Sequence, residues 1–213
     1  MILDYSLLHW TTFFTAAILL NLSPGPDIAY ILSQTIRGGR RAGFAAMFGI
    51  WGGAFMHVLF AALGLSAIIA TSATLFGIIK WIGALYLMWL GWQALRSGGA
   101  LHTSADEAAP QKLGKIARQG FLVATLNPKV ALFFLAFLPQ FVEPGAGSVA
   151  AQLFLHGTLI IVVAGFIEPP LVLLGGRLTH YLSRNPHVAR WIDRGLGTLF
   201  IALGLKLAVS DRV

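Results

Sequence analysis

Residues 7–36 read LLHWTTFFTAAILLNLSPGPDIAYILSQTI, thirty positions apolar enough for lipid but cut in the middle by Asn21-Leu22-Ser23-Pro24-Gly25-Pro26-Asp27. A proline offers no N–H to the preceding turn and its ring collides with a carbonyl four residues back, so Pro24 and Pro26 around Gly25 must break a helix. The hydrocarbon core of a bilayer is about 30 Å thick and takes about 20 apolar residues to cross. The run is therefore one membrane span with a break near its middle. Freed backbone groups at that depth are tolerated only against protein or a polar cavity, and Asn21 and Ser23 are suitable partners for them.

A second run repeats the design. Residues 119–142, QGFLVATLNPKVALFFLAFLPQFV, are interrupted at Asn127-Pro128, with Lys129 directly after the break; Pro24 and Pro128 are 104 residues apart. Four uninterrupted runs complete the set: Ala42 to Leu65, Leu75 to Leu95, Leu153 to Gly175 and Trp191 to Val209. Composition agrees with six spans. Of 213 residues 57% are hydrophobic and 11% charged, against about 25% charged in a soluble domain, and the mean hydropathy is +0.77. The chain holds no cysteine, which excludes disulfide frameworks, thiolate metal centres and thiol redox relays.

The net charge of +7 raises nucleic acid as a partner, but the positions of the basic residues point to a membrane. Eleven of the fifteen Lys and Arg fall in three alternate connections: Arg37, Arg40 and Arg41; Arg96, Lys112, Lys115 and Arg118; Arg177, Arg184, Arg190 and Arg194. The connections around Ser66–Thr74 and Glu143–Ala151 carry none. Short basic loops stay in the cytoplasm, which puts both termini on the other side. The N-terminus carries Asp4 rather than a basic region, so no removable signal peptide is expected. Three spans per half invert the second half relative to the first. The expected architecture is all-α, a single transmembrane domain of two inverted three-helix repeats. They occupy about 1–96 and 119–213, joined by a cytoplasmic loop of about 97–118, with the first and fourth helices broken at proline.

Depth follows from a rise of about 1.5 Å per residue. Asp27 lies ten residues from Arg37, Lys129 eleven from Arg118 and Glu168 nine from Arg177, which puts all three about 13–17 Å inside the cytoplasmic boundary. Charged groups at that depth face a bundle interior and mark a pathway, a relay, or a buried pair that fixes packing. The half-helices after the two breaks begin near the midplane, and their electropositive N-termini attract anions. With Lys129 beside them they suit a carboxylate, while Asp27 and Glu168 suit an ammonium group or a proton. His57, about 24 Å from Arg41 along its helix, is a packing residue or a further proton-transfer candidate. Gly49 and Gly53 permit close helix contact within the bundle or between two copies, so a homodimer stays open.

The motif Asn21-Leu22-Ser23-Pro24-Gly25-Pro26-Asp27, followed by Gly39-Arg40-Arg41-Ala42-Gly43 and Gly49-Ile50-Trp51-Gly52-Gly53, resembles the LysE/RhtB family of amino-acid exporters. So do Lys80 to Leu87, and Gly120-Phe121 through Asn127-Pro128-Lys129 to Phe141, in the expected order along essentially the whole chain. Glu168-Pro169-Pro170 is not part of that pattern. The resemblance implies an inner-membrane protein exporting an amino acid or a close derivative, driven by the proton gradient. Substrate-binding candidates are Asn21, Ser23, Pro24, Gly25, Pro26, Asp27, Asn127, Pro128 and Lys129; proton-coupling candidates are Asp27, Glu168 and His57. No cofactor and no metal site is expected, and no nucleotide or hydrolase fingerprint occurs. A membrane-embedded enzyme or a non-transporting partner subunit is the alternative.

Overall fold

The computed structural model describes residues 5–23, 25–96 and 111–209. Pro24 and the greater part of the expected cytoplasmic loop, including Asp106, Glu107 and Pro110, lie outside the described residues. All elements among the described residues are helical: α1 (Leu7–Leu22), α2 (Pro26–Phe60), α3 (Ser66–Thr71), α4 (Ala73–Arg96), α5 (Leu113–Thr125), α6 (Pro128–Phe137), α7 (Val149–Arg184) and α8 (Pro186–Val209). A π-helical turn (Ala61–Leu65) joins α2 to α3 and a 3-10 turn (Leu138–Phe141) follows α6. By length and hydropathy, Pro26–Ile68 and Val149–Gly175 are long and apolar enough to cross a membrane. Leu113–Thr125 with Pro128–Phe141, bent by 50°, makes a third such stretch if taken as one.

Both expected interruptions are present. Ser6 caps α1 by accepting from His9 N, and the helix stops at Leu22, where Ser23 N–H still bonds to Leu19 O and Leu20 O. Ser23 and Gly25 are extended, and Pro26 opens α2 at a position whose N–H would have no partner in any case. In the second half Leu126 and Asn127 leave helical geometry, the Asn127 side chain accepts from Lys129 N, and Pro128 opens α6.

The turn expected at 37–41 shrinks to one residue. Gly39, at φ 70° and ψ −173°, sits where an L side chain is strained, and it divides α2 into rods 26–38 and 40–60. The rods fold back on each other. A Cβ on Gly43 would lie 3.1 Å from Thr35 Cβ, and one on Gly120 would lie 2.6 Å from Ala46 O and 3.3 Å from Tyr30. In a straight helix, Tyr30 and Ala46 would be about 24 Å apart. Other connections also run shorter than hydropathy indicated. Helix α5 begins at Leu113, inside the expected loop, because Ile116, Gly120 and Ala124 bury one face while Lys115 and Arg118 keep theirs exposed. Between α7 and α8 only Asn185 is non-helical.

Glycine sets the closest approaches. Gly49 and Gly53 press on the backbone of Ala117 and Phe121 in α5, which is the within-bundle use of that pair, and Gly91 and Gly197 touch between α4 and α8. Contacts rise together along rod 40–60 and α5 (Gly49 to Ala117, Gly53 to Phe121), so these run parallel. Against α7 the order reverses (Gly43 to Val172, Trp51 to Gly165, Val58 to Gly157), so α7 is antiparallel to that rod. Helices α4 and α8 are antiparallel as well, Gly91 meeting Gly197 and Ala84 meeting Gly204. The core between them is aromatic and aliphatic, with Phe13, Phe133, Phe137 and Phe200 fully buried.

A branched side chain at Gly120 would strike the Ala46 carbonyl, whereas Gly64 faces open space. Gly120→Val is expected to cost about 1–3 kcal/mol, the range for overpacking, and to lower the thermal midpoint of the purified protein in detergent. Gly64→Val should leave that midpoint within about 0.5 kcal/mol of the parent, as a surface change does.

Candidate functional site

The two breaks meet. Asn127 Nδ2 donates to Asp27 Oδ1 at 3.0 Å and Lys129 Nζ donates to Ser23 O at 2.9 Å, across sequence separations of 100 and 106 residues. Each bond links one interruption to the other. The backbone carbonyl freed where α1 stops is taken by a cation from the start of α6. Asn127 works from both ends of its side chain, its oxygen capping α6 through Lys129 N at 3.0 Å while its amide holds Asp27. Gly25 leaves room for the lysine, since a Cβ there would stand 3.3 Å from Lys129 Nζ.

Around this junction lies a cavity with an empty volume of about 550 Å³, its open mouth included. Asn21, Ser23, Gly25, Asp27, Lys129 and Glu168 line it. Its apolar walls come from Leu20, Ile28, Ile50, Ala54, Val130, Phe134, Ile160, Ile161 and Ala164, with Trp51. Ser23, Asn127, Lys129 and Glu168 are buried. The three charges that depth arithmetic put at one level thus share one chamber. Among the described residues no ion pair joins Lys129 to Asp27 or Glu168, so the buried pair considered from sequence is not how these groups are held.

The local electrostatics favour an anion at Lys129. Asp27 sits in the first turn of rod 26–38, where a negative charge opposes the electropositive helix end. Lys129 sits in the first turn of α6, a cation at an electropositive end. A carboxylate arriving there gains from both.

Glu168 is held by Trp51, whose Nε1 donates to Oε2 at 2.7 Å. That partner was not foreseen: Trp51 stands in the Gly-Ile-Trp-Gly-Gly stretch, and only the antiparallel run of α7 along rod 40–60 brings it opposite Glu168. Pro169 and Pro170 lie inside α7 without ending it; they remove the N–H groups that would pair with Gly165 O and Phe166 O, next to the glutamate. Asn21 Nδ2 donates to Ala17 O in its own helix and, at 3.3 Å, to Ile160 O of α7. Pro26 and Pro128 shape the helix starts and do not line the cavity. His57, buried, donates through Nε2 to Ala124 O at 3.2 Å, tying rod 40–60 to α5, and is not part of the cavity lining.

The family model described as LysE type translocator matches residues 18–211. A leucine efflux protein of Salmonella typhimurium is 29% identical over 211 residues, 98% of both chains. A homoserine/homoserine lactone efflux protein of the same organism is 32% identical over 201 residues, 93% of this chain and 95% of the relative. A leucine efflux protein of Klebsiella pneumoniae is 25% identical over 208 residues, 98% of both. No solved structure matches.

Asn127→Ala removes a helix cap and leaves the Asp27 carboxylate without its donor. Together these should cost about 2–4 kcal/mol, read as a fall in the thermal midpoint. Adding Asp27→Ala to Asn127→Ala should cost less than the two single losses combined, since the second change removes a group already unpaired.

Proposed function

Because the chain belongs to the LysE type translocator family, whose members are transporters rather than enzymes, we propose that it is a secondary exporter of a neutral amino acid or close derivative, working from the cavity between the two helix breaks. The observation that carries this reading is the gathering of Lys129, Asp27 and Glu168 with both helix interruptions around one chamber. The substrate carboxylate binds Lys129 and the helix ends at Pro26 and Pro128. Its ammonium group binds Asp27 or Glu168. An aliphatic side chain of the size of leucine, the substrate in the names of two relatives, lies against Ile50, Phe134 and Ile160.

Export runs by proton antiport across the inner membrane. One carboxylate can hold an ammonium group or a proton and not both, so substrate leaves when a proton replaces it, and the return stroke carries the proton inward. Asp27 and Glu168 are the coupling groups. His57, bonded to the backbone of α5, is the weaker candidate. The fold around the cavity is two inverted repeats of three spans, one domain with both termini outside. The parallel and antiparallel pairings support this, since each is the direction that six alternating spans require. An inverting two-fold axis also exchanges the packed pair α2 with α5 and the packed pair α7 with α1. Gly39 then turns at the cytoplasmic face among Arg37, Arg40 and Arg41.

Labelled leucine should accumulate in inverted vesicles when the lumen is made acidic, and unlabelled leucine or homoserine should compete while glutamate does not. Lys129→Ala should lower that uptake at least about tenfold, the loss of a charged hydrogen bond at about 1.4 kcal/mol per decade. Glu168→Gln or Asp27→Asn, at whichever carboxylate the proton and the ammonium group share, should abolish stimulation by the gradient and weaken leucine exchange as well. Uptake indifferent to both the gradient and Lys129→Ala would contradict the mechanism.

A further inference from the structure

At the start of α1 and α7, the end of the bundle away from Gly39 and Arg177, a second polar cluster is built into the aromatic core. His9 Nδ1 lies 2.9 Å from Glu143 Oε1, and His9 Nε2 lies 2.9 Å from His156 Nε2. His156 Nδ1 lies 2.8 Å from the Gln152 carbonyl oxygen. Gln152 fixes the frame: its Oε1 accepts from Tyr5 OH and Glu143 N, and its Nε2 donates to Glu143 O and Gly147 O. His156 is 1% exposed and the His9 side chain 6%, whereas the Glu143 side chain is 42% exposed. Trp10, Phe13 and Phe141 enclose the imidazoles. The titratable groups meeting there, among the described residues, are Tyr5, His9, Glu143 and His156.

The contacts specify where the protons are. A carbonyl oxygen only accepts, so His156 Nδ1 carries its hydrogen. The two facing Nε2 atoms then share one hydrogen, and another must lie between His9 Nδ1 and the Glu143 carboxyl. That total is one proton more than two neutral imidazoles and a carboxylate hold. Remove it, and the His9 Nδ1 lone pair faces a carboxylate oxygen. Add one more, and two N–H groups face each other at 2.9 Å. Either change sets like against like, at the half-exposed Glu143 contact or between the buried imidazoles, and breaks a bond joining α1 to its neighbours.

We propose that His9, Glu143 and His156 form a second proton-binding site, separate from the central cavity, that latches α1 to α7 and closes this end of the bundle in a single protonation state. The position fits a gate. Gln152, His156, Ile160, Ala164 and Glu168 follow at four-residue spacing down one buried stripe of α7, so His156 stands about 18 Å from Glu168 along the helix. Phe13 and Phe137, both fully buried, fill the bundle beside that stripe. Glu143, half-exposed, is where a proton from water enters and His156 is where it ends. The gating role rests on the exporter reading; the proton site itself does not.

The cysteine-free chain allows a direct test. Spin labels introduced at two exposed positions, Leu8→Cys on α1 and Ala151→Cys on α7, report the distance between the helices in nanodiscs without substrate. One short distance is expected at intermediate pH, with a longer component appearing on both the acid and the alkaline side. His156→Gln should abolish the acid component, because a carboxamide takes no second proton. Glu143→Gln, at a half-exposed position that the fold tolerates, should abolish the alkaline component and keep the acid one, since its amide donates to His9 Nδ1. A distance that does not respond to pH, or a pH response unchanged in both variants, overturns the proposal. With no substrate present, failure of the latch leaves leucine export untouched, and failure of leucine export leaves the measured distances untouched.

Discussion

Two helices interrupted inside the bundle hold each other's loose ends. Asn127 to Asp27 and Lys129 to Ser23 are the bonds: the lysine takes the backbone carbonyl that the first break frees, and the asparagine takes a carboxylate oxygen in the first turn after that break. An unsatisfied group in a dry interior costs several kcal/mol, so neither interruption is stable without the other. The rest of the architecture serves this meeting: the reversal at Gly39 brings rod 40–60 back alongside, the small faces of Gly49, Gly53 and Gly120 let α5 approach until Asn127 reaches Asp27, and α7 adds Glu168 from the far wall.

The same arrangement explains why the site has a chemical preference. Lys129, at an electropositive helix end, donates to a backbone carbonyl and, among the described residues, forms no direct ion pair, which leaves its charge answered only in part. Asp27 and Glu168 each accept from a neutral donor, Asn127 and Trp51, so neither carboxyl is tied to a cation. A lysine and two carboxyls gathered in one chamber without a direct ion pair, set around apolar walls, suit a ligand carrying both signs.

Much of this was legible in the chain because proline and charge are expensive in lipid and therefore informative. Ser23-Pro24-Gly25-Pro26 and Asn127-Pro128 marked the breaks, and counting residues from the arginine clusters put Asp27, Lys129 and Glu168 at one height. Hydropathy failed at the turns: it measures the apolar length of a segment, whereas helix α5 begins with basic residues on its exposed face and α7 continues past Arg177 to Arg184. Partners across helices were invisible for a different reason. Trp51 reaches Glu168 over 117 residues and His9 reaches His156 over 147, and no local pattern encodes the register in which two helices slide together.

The claim on which the account depends is the contact between the interruptions, and cross-linking reads it directly. In the cysteine-free chain, Asp27→Cys combined with Asn127→Cys should be joined in native membranes by a short bifunctional thiol reagent. Asp27→Cys combined with Ala151→Cys, at the far end of the bundle, should not. Equal yields from the two pairs, or none from the first, would contradict the account.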